Sequence, residues 1–305
     1  EGKIKKSSRE AITYGAALGD VTAIALGSVD ADELSTAGDN GAKKVLHVAD
    51  ERLNAGLILP YAEVLAAAME STGADLLVTA KSSLADAVVG RVAVKTGAGL
   101  VSNVADLPDT ANGFVVKRSI YTGKAFANVS MTTDKKILAI KKNAVEVKTG
   151  AGTAAVEGFE VALNDALFGA KITATEKAEG DILLPEADLV VSGGRGLKGP
   201  ENWGMIEELA KTLGAASGCS KPVSDMDWRP HHEHVGQTGV KVSPTLYVAV
   251  GISGAIQHLA GVNSSKYIVV INKDEEAPFF KAADYGIVGD AFDVVPKLNE
   301  ALKNA

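Results

Sequence analysis

The sequence predicts an α/β protein of two domains: an N-terminal three-layer α/β domain with an antiparallel insertion over residues 1–182, and a C-terminal doubly wound parallel sheet over 183–305. Three observations carry that reading. Short apolar runs alternate with helix-period segments in both halves. The alternation is broken around 113–147 by strand-like segments joined through short polar turns. From about 164 to 186 the chain turns polar and mixed, ending in Ala178-Glu-Gly-Asp181, before a second alternation begins at Asp188-Leu-Val-Val-Ser192.

The chain opens on the polar Glu1-Gly-Lys-Ile-Lys-Lys6 and then a helix-like segment. A doubly wound sheet ordinarily begins with a strand, so a strand is expected upstream of residue 1. Val21–Leu26, Val45–Val48 and Leu76–Ala80 read as buried strands, with helices near 61–71 and 83–96, which implies right-handed crossovers and a parallel sheet covered on both faces. Gly113–Tyr121, Ala125–Met131 and Lys136–Ile140, separated by Thr122-Gly-Lys124 and Thr132-Thr-Asp-Lys135, read as an antiparallel meander.

In the second half, Gly251-Ile-Ser-Gly-Ala-Ile-Gln-His258 lies between the apolar runs Leu246–Val250 and Tyr267–Ile271. A strand, a tight turn into a short helix and a second strand make this a ligand-binding turn. Its glycines let backbone approach a bound group, Ser253 offers a hydroxyl, and free amides favour an anion such as a pyrophosphate. His258, one helical turn on, reaches a second part of the same ligand.

Composition narrows the classes. With 305 residues, 46% hydrophobic and 23% charged, the chain has the make-up of an ordinary globular protein. A net charge of -7 argues against nucleic acid or an anionic membrane surface as the main partner. One cysteine, Cys219, excludes an intramolecular disulfide and points to a reducing compartment. No apolar run approaches the roughly 20 residues that cross a bilayer, so the protein is expected in the cytosol or an organelle matrix.

Four further clusters follow strand ends. Ser192-Gly-Gly-Arg-Gly-Leu-Lys-Gly-Pro-Glu-Asn202 spells GxGxxG at Gly194, Gly196 and Gly199. Pro200, however, reads as a first-turn proline, so the helix carrying Met205, Ile206, Leu209 and Leu213 starts after the glycines and the dinucleotide fingerprint is coincidental. The better reading is a phosphate-approach loop in which the Arg195 guanidinium grips oxygens in a fork; a glycine-rich connection with a solvated arginine is the alternative. Ser217-Gly-Cys-Ser-Lys-Pro222 and His234-Val-Gly-Gln-Thr-Gly239 are loops rich in small donors that suit a polar ring or a ribityl chain. Asn272 and Asp290 lie beyond two strand ends, where an amide and a carboxylate suit ribose hydroxyls or an adenine edge, although turn-forming roles explain either singly. His231-His-Glu-His234 has adjacent residues that do not converge on one ion, His47 reads as a satisfied core residue, and Cys219 as an unreactive thiol. No Ser-His-Asp order, paired-carboxylate motif or Walker loop is present.

Ser192–Lys198, Ser220-Lys-Pro222, Val235–Gly239, Leu246–Gly261 and Ala283–Asp290 together closely resemble the α subunit of electron transfer flavoprotein, and Arg118-Ser-Ile-Tyr-Thr-Gly-Lys-Ala125 extends the likeness more loosely into the N-terminal half. The resemblance implies a heterodimer with a β subunit, one FAD held mainly by the second domain, and AMP or a second FAD in the partner. Arg195, Ser253 and the turn Gly254, Ala255, Ile256 and Gln257 would hold the pyrophosphate and ribityl groups. Asn272, Asp290 and Ala291 would face the adenosine half. Ser220, Lys221, Val235, Gly236, Gln237, Thr238 and His258 would meet the flavin, with Thr238 near N5 and His258 near the pyrimidine carbonyl. The implied function is an electron carrier without a catalytic nucleophile, fed by flavin dehydrogenases such as acyl-CoA dehydrogenases and drained by a membrane quinone oxidoreductase, bacterial cytoplasmic or mitochondrial in location. Two departures stand out: Lys221 replaces an arginine of many relatives, and the polar residues around His231–His234 differ. An electron-bifurcating relative, an NAD-dependent dehydrogenase using Gly194, Gly196 and Gly199, and an adenine-nucleotide sensor are the competing readings.

Overall fold

The chain divides into two compact units, Glu1–Thr175 and Glu176–Ala305, and a computed structural model describes residues 2–123, 125–174 and 183–304. The expected boundary at 182/183, the Ala178–Asp181 stretch before it and the turn residue Lys124 touch or lie outside those described residues.

In chain order the first unit runs α1 (Lys6–Ala16), β1 (Val21–Leu26), α2 (Ala31–Ser35), β2 (Ala42–Val48), α3 (Ile58–Thr72), β3 (Leu76–Ala80), α4 (Ser83–Thr96), β4 (Gly99–Val104), β5 (Val115–Ile120), β6 (Ala125–Ser130), β7 (Lys136–Ile140) and β8 (Ala155–Gly158). Helix ends follow local chemistry. The Ser82 hydroxyl accepts from the Ala85 amide to start α4, and Gly73 and Gly97, at φ 66° and 68°, end α3 and α4 in the left-handed conformation that glycine adopts without cost.

Two corrections to the sequence reading arise here. β1 and β2 do not share a sheet with β3; they pair in parallel with β8 in the order β1-β2-β8, while the second sheet runs β3-β7-β4-β5-β6. Nor do residues 113–140 form a continuous antiparallel meander. β5 and β6 are an antiparallel hairpin, but β7 lies between β3 and β4 and is parallel to both. The physical reason is burial: Ile137 packs with α3 and α4 through Ala62, Met69, Val88 and Val92, while Leu138 and Ile140 pack on the other face with Ala11 and Tyr14 of α1. A strand covered on both faces needs a near-continuous apolar run, and Ile-Leu-Ala-Ile supplies one. The hairpin is the antiparallel insertion, and α3/α4, sheet and α1 are the three layers.

The second unit runs β9 (Leu189–Gly193), α5 (Gly204–Leu213), β10 (Ala216–Cys219), α6 (Lys221–Asp225), β11 (Leu246–Val250), α7 (Ile256–Val262), β12 (Tyr267–Asn272), β13 (Tyr285–Val288) and α8 (Ala291–Lys303). Its five strands are parallel throughout, in the order β10-β9-β11-β12-β13. Alternate residues serve opposite faces. Val191, Val248, Val250 and Ile271 meet Ile206, Leu209 and Val295 of α5 and α8, whereas Val190, Tyr247, Ala249 and Val270 meet Val235, Val262 and Phe279. Both faces are covered, which is the doubly wound arrangement. The chain goes from β9 outward to β10 and then returns across β9 to β11, so the winding reverses between β9 and β11. In open α/β sheets the crevice outside the strand carboxyl ends at such a reversal is where ligands bind.

Candidate functional site at the carboxyl edge of the second sheet

Because all five strands run the same way, their carboxyl ends form one edge, and main-chain hydrogen bonds stitch the loops along it. Ser220 N–H donates to Gly193 O at 3.0 Å, Gly194 N–H to Val250 O at 2.8 Å, Gly251 N–H to Ile271 O at 2.9 Å, and Gly289 N–H to Asn272 O at 2.9 Å. The Val235 amide donates to Cys219 O at 2.9 Å, and the Gln237 amide to Gln257 O at 2.8 Å, which ties the 235–238 loop to the start of α7. The loops that carry the site residues expected from sequence lie along this edge, with His258 buried beneath it.

The GxGxxG reading resolves as expected. Arg195–Leu197 and Pro200–Asn202 are single 3₁₀ turns, and α5 begins only at Gly204. Gly194 and Gly196 are glycine because a Cβ on either would overlap the Gly251 main chain, so these glycines allow two loops to touch each other.

Along the edge, some polar groups are engaged within the chain and others are not. The exposed Arg195 guanidinium makes no hydrogen bond or ion pair among the described residues. The same holds for the hydroxyls of Ser253 and Thr238 and for the amides of Ser253, Gly254 and Ala255. Gly254, at φ +83°, bends the chain so that these amides follow one another, and the Phe279 amide, donating to Ser253 O at 3.1 Å, holds the turn in place. Successive unpaired N–H groups suit an anion, and Arg195 stands on the neighbouring loop, whose Gly196 amide donates to Gly251 O at 3.0 Å. Ser220 is buried and caps α6 without a side-chain bond, and Ile256 is exposed at the start of α7.

The adenosine-side residues are less free. Asn272 uses both ends of its amide: Nδ2 donates to Ile252 O at 3.0 Å and Oδ1 accepts from the Asp274 amide at 3.1 Å. Asp290 caps α8, accepting from the Phe292 amide at 3.0 Å, ahead of the buried Ala291. That bond, aided by Lys198 and Lys273, holds its carboxyl below the usual range. Lys198, in the left-handed region at φ 69°, reaches 3.7 Å from Asp290 and 4.6 Å from the Phe292 ring centre. Replacing Asp290 by Ala removes the cap and should lower the urea unfolding midpoint without changing the m-value. Lys221 is paired with Asp225 at 3.2 Å in a solvent-exposed i,i+4 contact, of a kind worth little and readily released.

Beneath the edge sits a buried polar pair that sequence reasoning missed. The Tyr247 hydroxyl and His258 Nε2 are 2.8 Å apart, and Tyr247 stacks on Phe279. Burial, with His234 adding repulsion, pushes His258 down to about 4, and burial raises Tyr247. His234 is also buried and lowered, by burial first and by His231 and Lys221 after it. The sequence signal was a lone tyrosine inside the run Leu-Tyr-Val-Ala-Val, since a buried phenol needs a partner. Cys219 is fully buried and pushed up to about 12 by that burial and by Glu233, so it is an inert thiol. In the His231–His234 stretch, Glu233 is spent on Arg229 at 2.7 Å and 2.8 Å. His47 Nε2–H donates to Gly27 O at 2.7 Å, since a carbonyl oxygen only accepts, and is a satisfied structural residue.

Comparison with known proteins places this geometry. Residues 1–164 match the electron transfer flavoprotein domain, and residues 183–263 match the electron transfer flavoprotein FAD-binding domain. Electron transfer flavoprotein subunit alpha of Paracoccus denitrificans is 42% identical over 98% of this chain and 95% of its own length, and that of Mycobacterium leprae is 39% identical over 99% and 95%. The chain belongs to the electron transfer flavoprotein α-subunit family. A relative from Caenorhabditis elegans, 37% identical over 99% of this chain and 91% of its own, is described as probable and mitochondrial. Proteins of this family are electron carriers rather than catalytic enzymes. The FAD-binding domain match begins just before β9 and covers the free Arg195 and the 253–257 turn. A donor set of this kind fits the pyrophosphate of FAD. Among the described residues no helix is long and apolar enough to cross a membrane.

Proposed function

We propose that this chain, paired with an electron transfer flavoprotein β subunit, holds one FAD along the carboxyl edge of its second sheet. The complex takes electrons from flavin dehydrogenases, acyl-CoA dehydrogenases among them, and delivers them to a membrane quinone oxidoreductase. AMP or a second FAD belongs to the β subunit in this reading. The observation that carries it is the unpaired Arg195 and the unpaired amides of Ser253, Gly254 and Ala255 on two loops that touch at Gly196 and Gly251, at the winding reversal.

Arg195, Ser253 and the turn through Gln257 would neutralise the pyrophosphate. Asp290 and Ala291, at the start of α8, and Asn272, through what its engaged amide leaves free, would take the adenosine half. Ser220, Lys221, the loop Val235–Thr238 and His258 would face the flavin ring. FAD, when bound, supplies a ring that can take up and pass on electrons singly. The chain's own part is to bind and orient it, to keep water from its buried side, and to set the local field. Lys221 brings a compact, mobile charge and His258 an uncharged ring.

Arg195→Ala should raise the FAD dissociation constant at least about tenfold, the loss expected for one charge-assisted hydrogen bond. Equilibrium dialysis reads this directly, and unchanged retention would remove Arg195 from the site. For the function itself, the two-subunit complex should be yellow and should bleach when mixed anaerobically with an acyl-CoA dehydrogenase and its substrate. A yellow complex that no flavin dehydrogenase reduces would overturn the donor assignment.

A further inference from the structure

Tyr247 is fully buried, and the only hydrogen bond its hydroxyl makes among the described residues is to His258 Nε2 at 2.8 Å. His258 is itself 6% exposed, held edge-on to Phe279 at 5.6 Å between ring centres. Ser192 and Val235 are near enough to influence Tyr247 and His258, but neither Ser192 Oγ nor His258 Nδ1, both buried, has a hydrogen-bond partner among the described residues.

The direction of the proton follows from the phenol. Among the described residues its buried O–H has no acceptor other than Nε2, so it is satisfied only by donating to a bare Nε2, and a neutral imidazole then carries its proton on Nδ1. The opposite arrangement, Nε2–H donating to the phenol oxygen, would leave both the phenol O–H and the bare Nδ1 without partners in the interior, one buried polar group more than the first.

We propose that Tyr247 is a positioning residue for the flavin site: its hydroxyl donates to Nε2 of His258 and fixes the imidazole as the neutral Nδ1–H tautomer, with Nε2 already occupied. His258 therefore acts on a bound ring as an oriented, uncharged dipole, and not as an Nε2–H donor or a cation. The groups facing the ring from neighbouring elements agree with this. His234, on the 234–240 loop, opposes positive charge on the ring, Phe279 and Tyr247 flank it, and among the described residues no carboxylate acts on it. The part of the proposal that concerns FAD rests on the function proposed above; the tautomer does not.

Two-bond proton–nitrogen correlation spectra of the FAD-free two-subunit complex, labelled with nitrogen-15 at histidine, test it, with His258→Gln assigning the resonances. His258 should show a protonated Nδ1 and an unprotonated Nε2, with no titration between about pH 5 and 8. In Tyr247→Phe, which keeps the ring's shape, the proton should redistribute toward Nε2 and the titration should move upward. After FAD is restored, the midpoint potential of the variant should gain a pH-dependent break that the parent lacks. A protonated Nε2 in the parent protein, or a variant with the parent's tautomer and titration, overturns the proposal; if the variant does not fold, the parent spectrum alone decides. A complex that shows the expected tautomer but takes up no FAD leaves the dyad standing and removes the carrier function. FAD uptake with Nε2 protonated does the reverse.

Discussion

Gly254→Val should destabilise the chain by about 2–5 kcal/mol and abolish FAD retention. Gly254 sits at φ +83°, a conformation that costs a β-branched residue about 1–2 kcal/mol. A Cβ there would come within 2.5 Å of the Cβ and the amide nitrogen of Phe279, and overpacking of that kind costs about 1–3 kcal/mol more. Relief requires Phe279 to move. Its amide bond to Ser253 O would then break, and with it the alignment of the Ser253–Ala255 amides. Gly204 supplies the control. It is the first residue of α5, and a Cβ there meets nothing within 4 Å. Gly204→Ala should stabilise by about 0.5–1 kcal/mol. Urea midpoints at constant m-value measure both, and equal effects at the two positions would contradict the assignment of strain to the 253–257 turn.

Acid should unfold the chain through His258. Its ordinary value is 6.5, and burial lowers it to about 4 in the folded state. Between those values the unfolded chain binds a proton that the folded chain refuses, so stability falls as the pH drops from 6.5 toward 4 and is unaffected by this group above 6.5. At about 1.4 kcal/mol per unit, the loss approaches 3 kcal/mol. His234, lowered in the same direction, adds to it. Carboxylates titrate in the lower part of this window too, so the informative quantity is the difference between parent and His258→Gln. The variant should begin less stable at pH 7, because Tyr247 loses its acceptor, and should lose less on acidification. Parallel stability-against-pH curves for the two proteins would contradict a buried, neutral His258.

The parts of the fold legible in sequence were those where one residue type answers one local demand. Val21–Leu26, Leu76–Ala80 and Leu246–Val250 are strands as read; the last is buried and the first two are half-buried, and each apolar run lies in a parallel pairing. Pro200 placed the start of α5 beyond the glycines. Partner choice was not legible. The run Lys136–Ile140 announces a buried strand, but whether it continues the β5–β6 hairpin or inserts between β3 and β4 depends on which faces α1, α3 and α4 cover. β8 was missed because Ala155-Val-Glu-Gly158 carries one large apolar residue and its pairing with β2 supplies what the side chains do not.

The same distinction applies to the site. Turn glycines, Ser253 and Arg195 follow strand ends in sequence, and the parallel sheet brings them to one edge. Side chains already engaged within the protein could not be told from those left free. Asn272 spends its amide on Ile252 and Asp274, Lys221 pairs with Asp225, and Tyr247 lies 2.8 Å from His258 across the fold.

FAD content of the purified two-subunit complex, compared between the parent chain and Gly254→Val, bears most directly on where the cofactor is held. One FAD per parent complex and a colourless variant complex are expected. A parent complex without flavin, or equal flavin in both, would mean that the carboxyl edge of the second sheet is not the cofactor's seat.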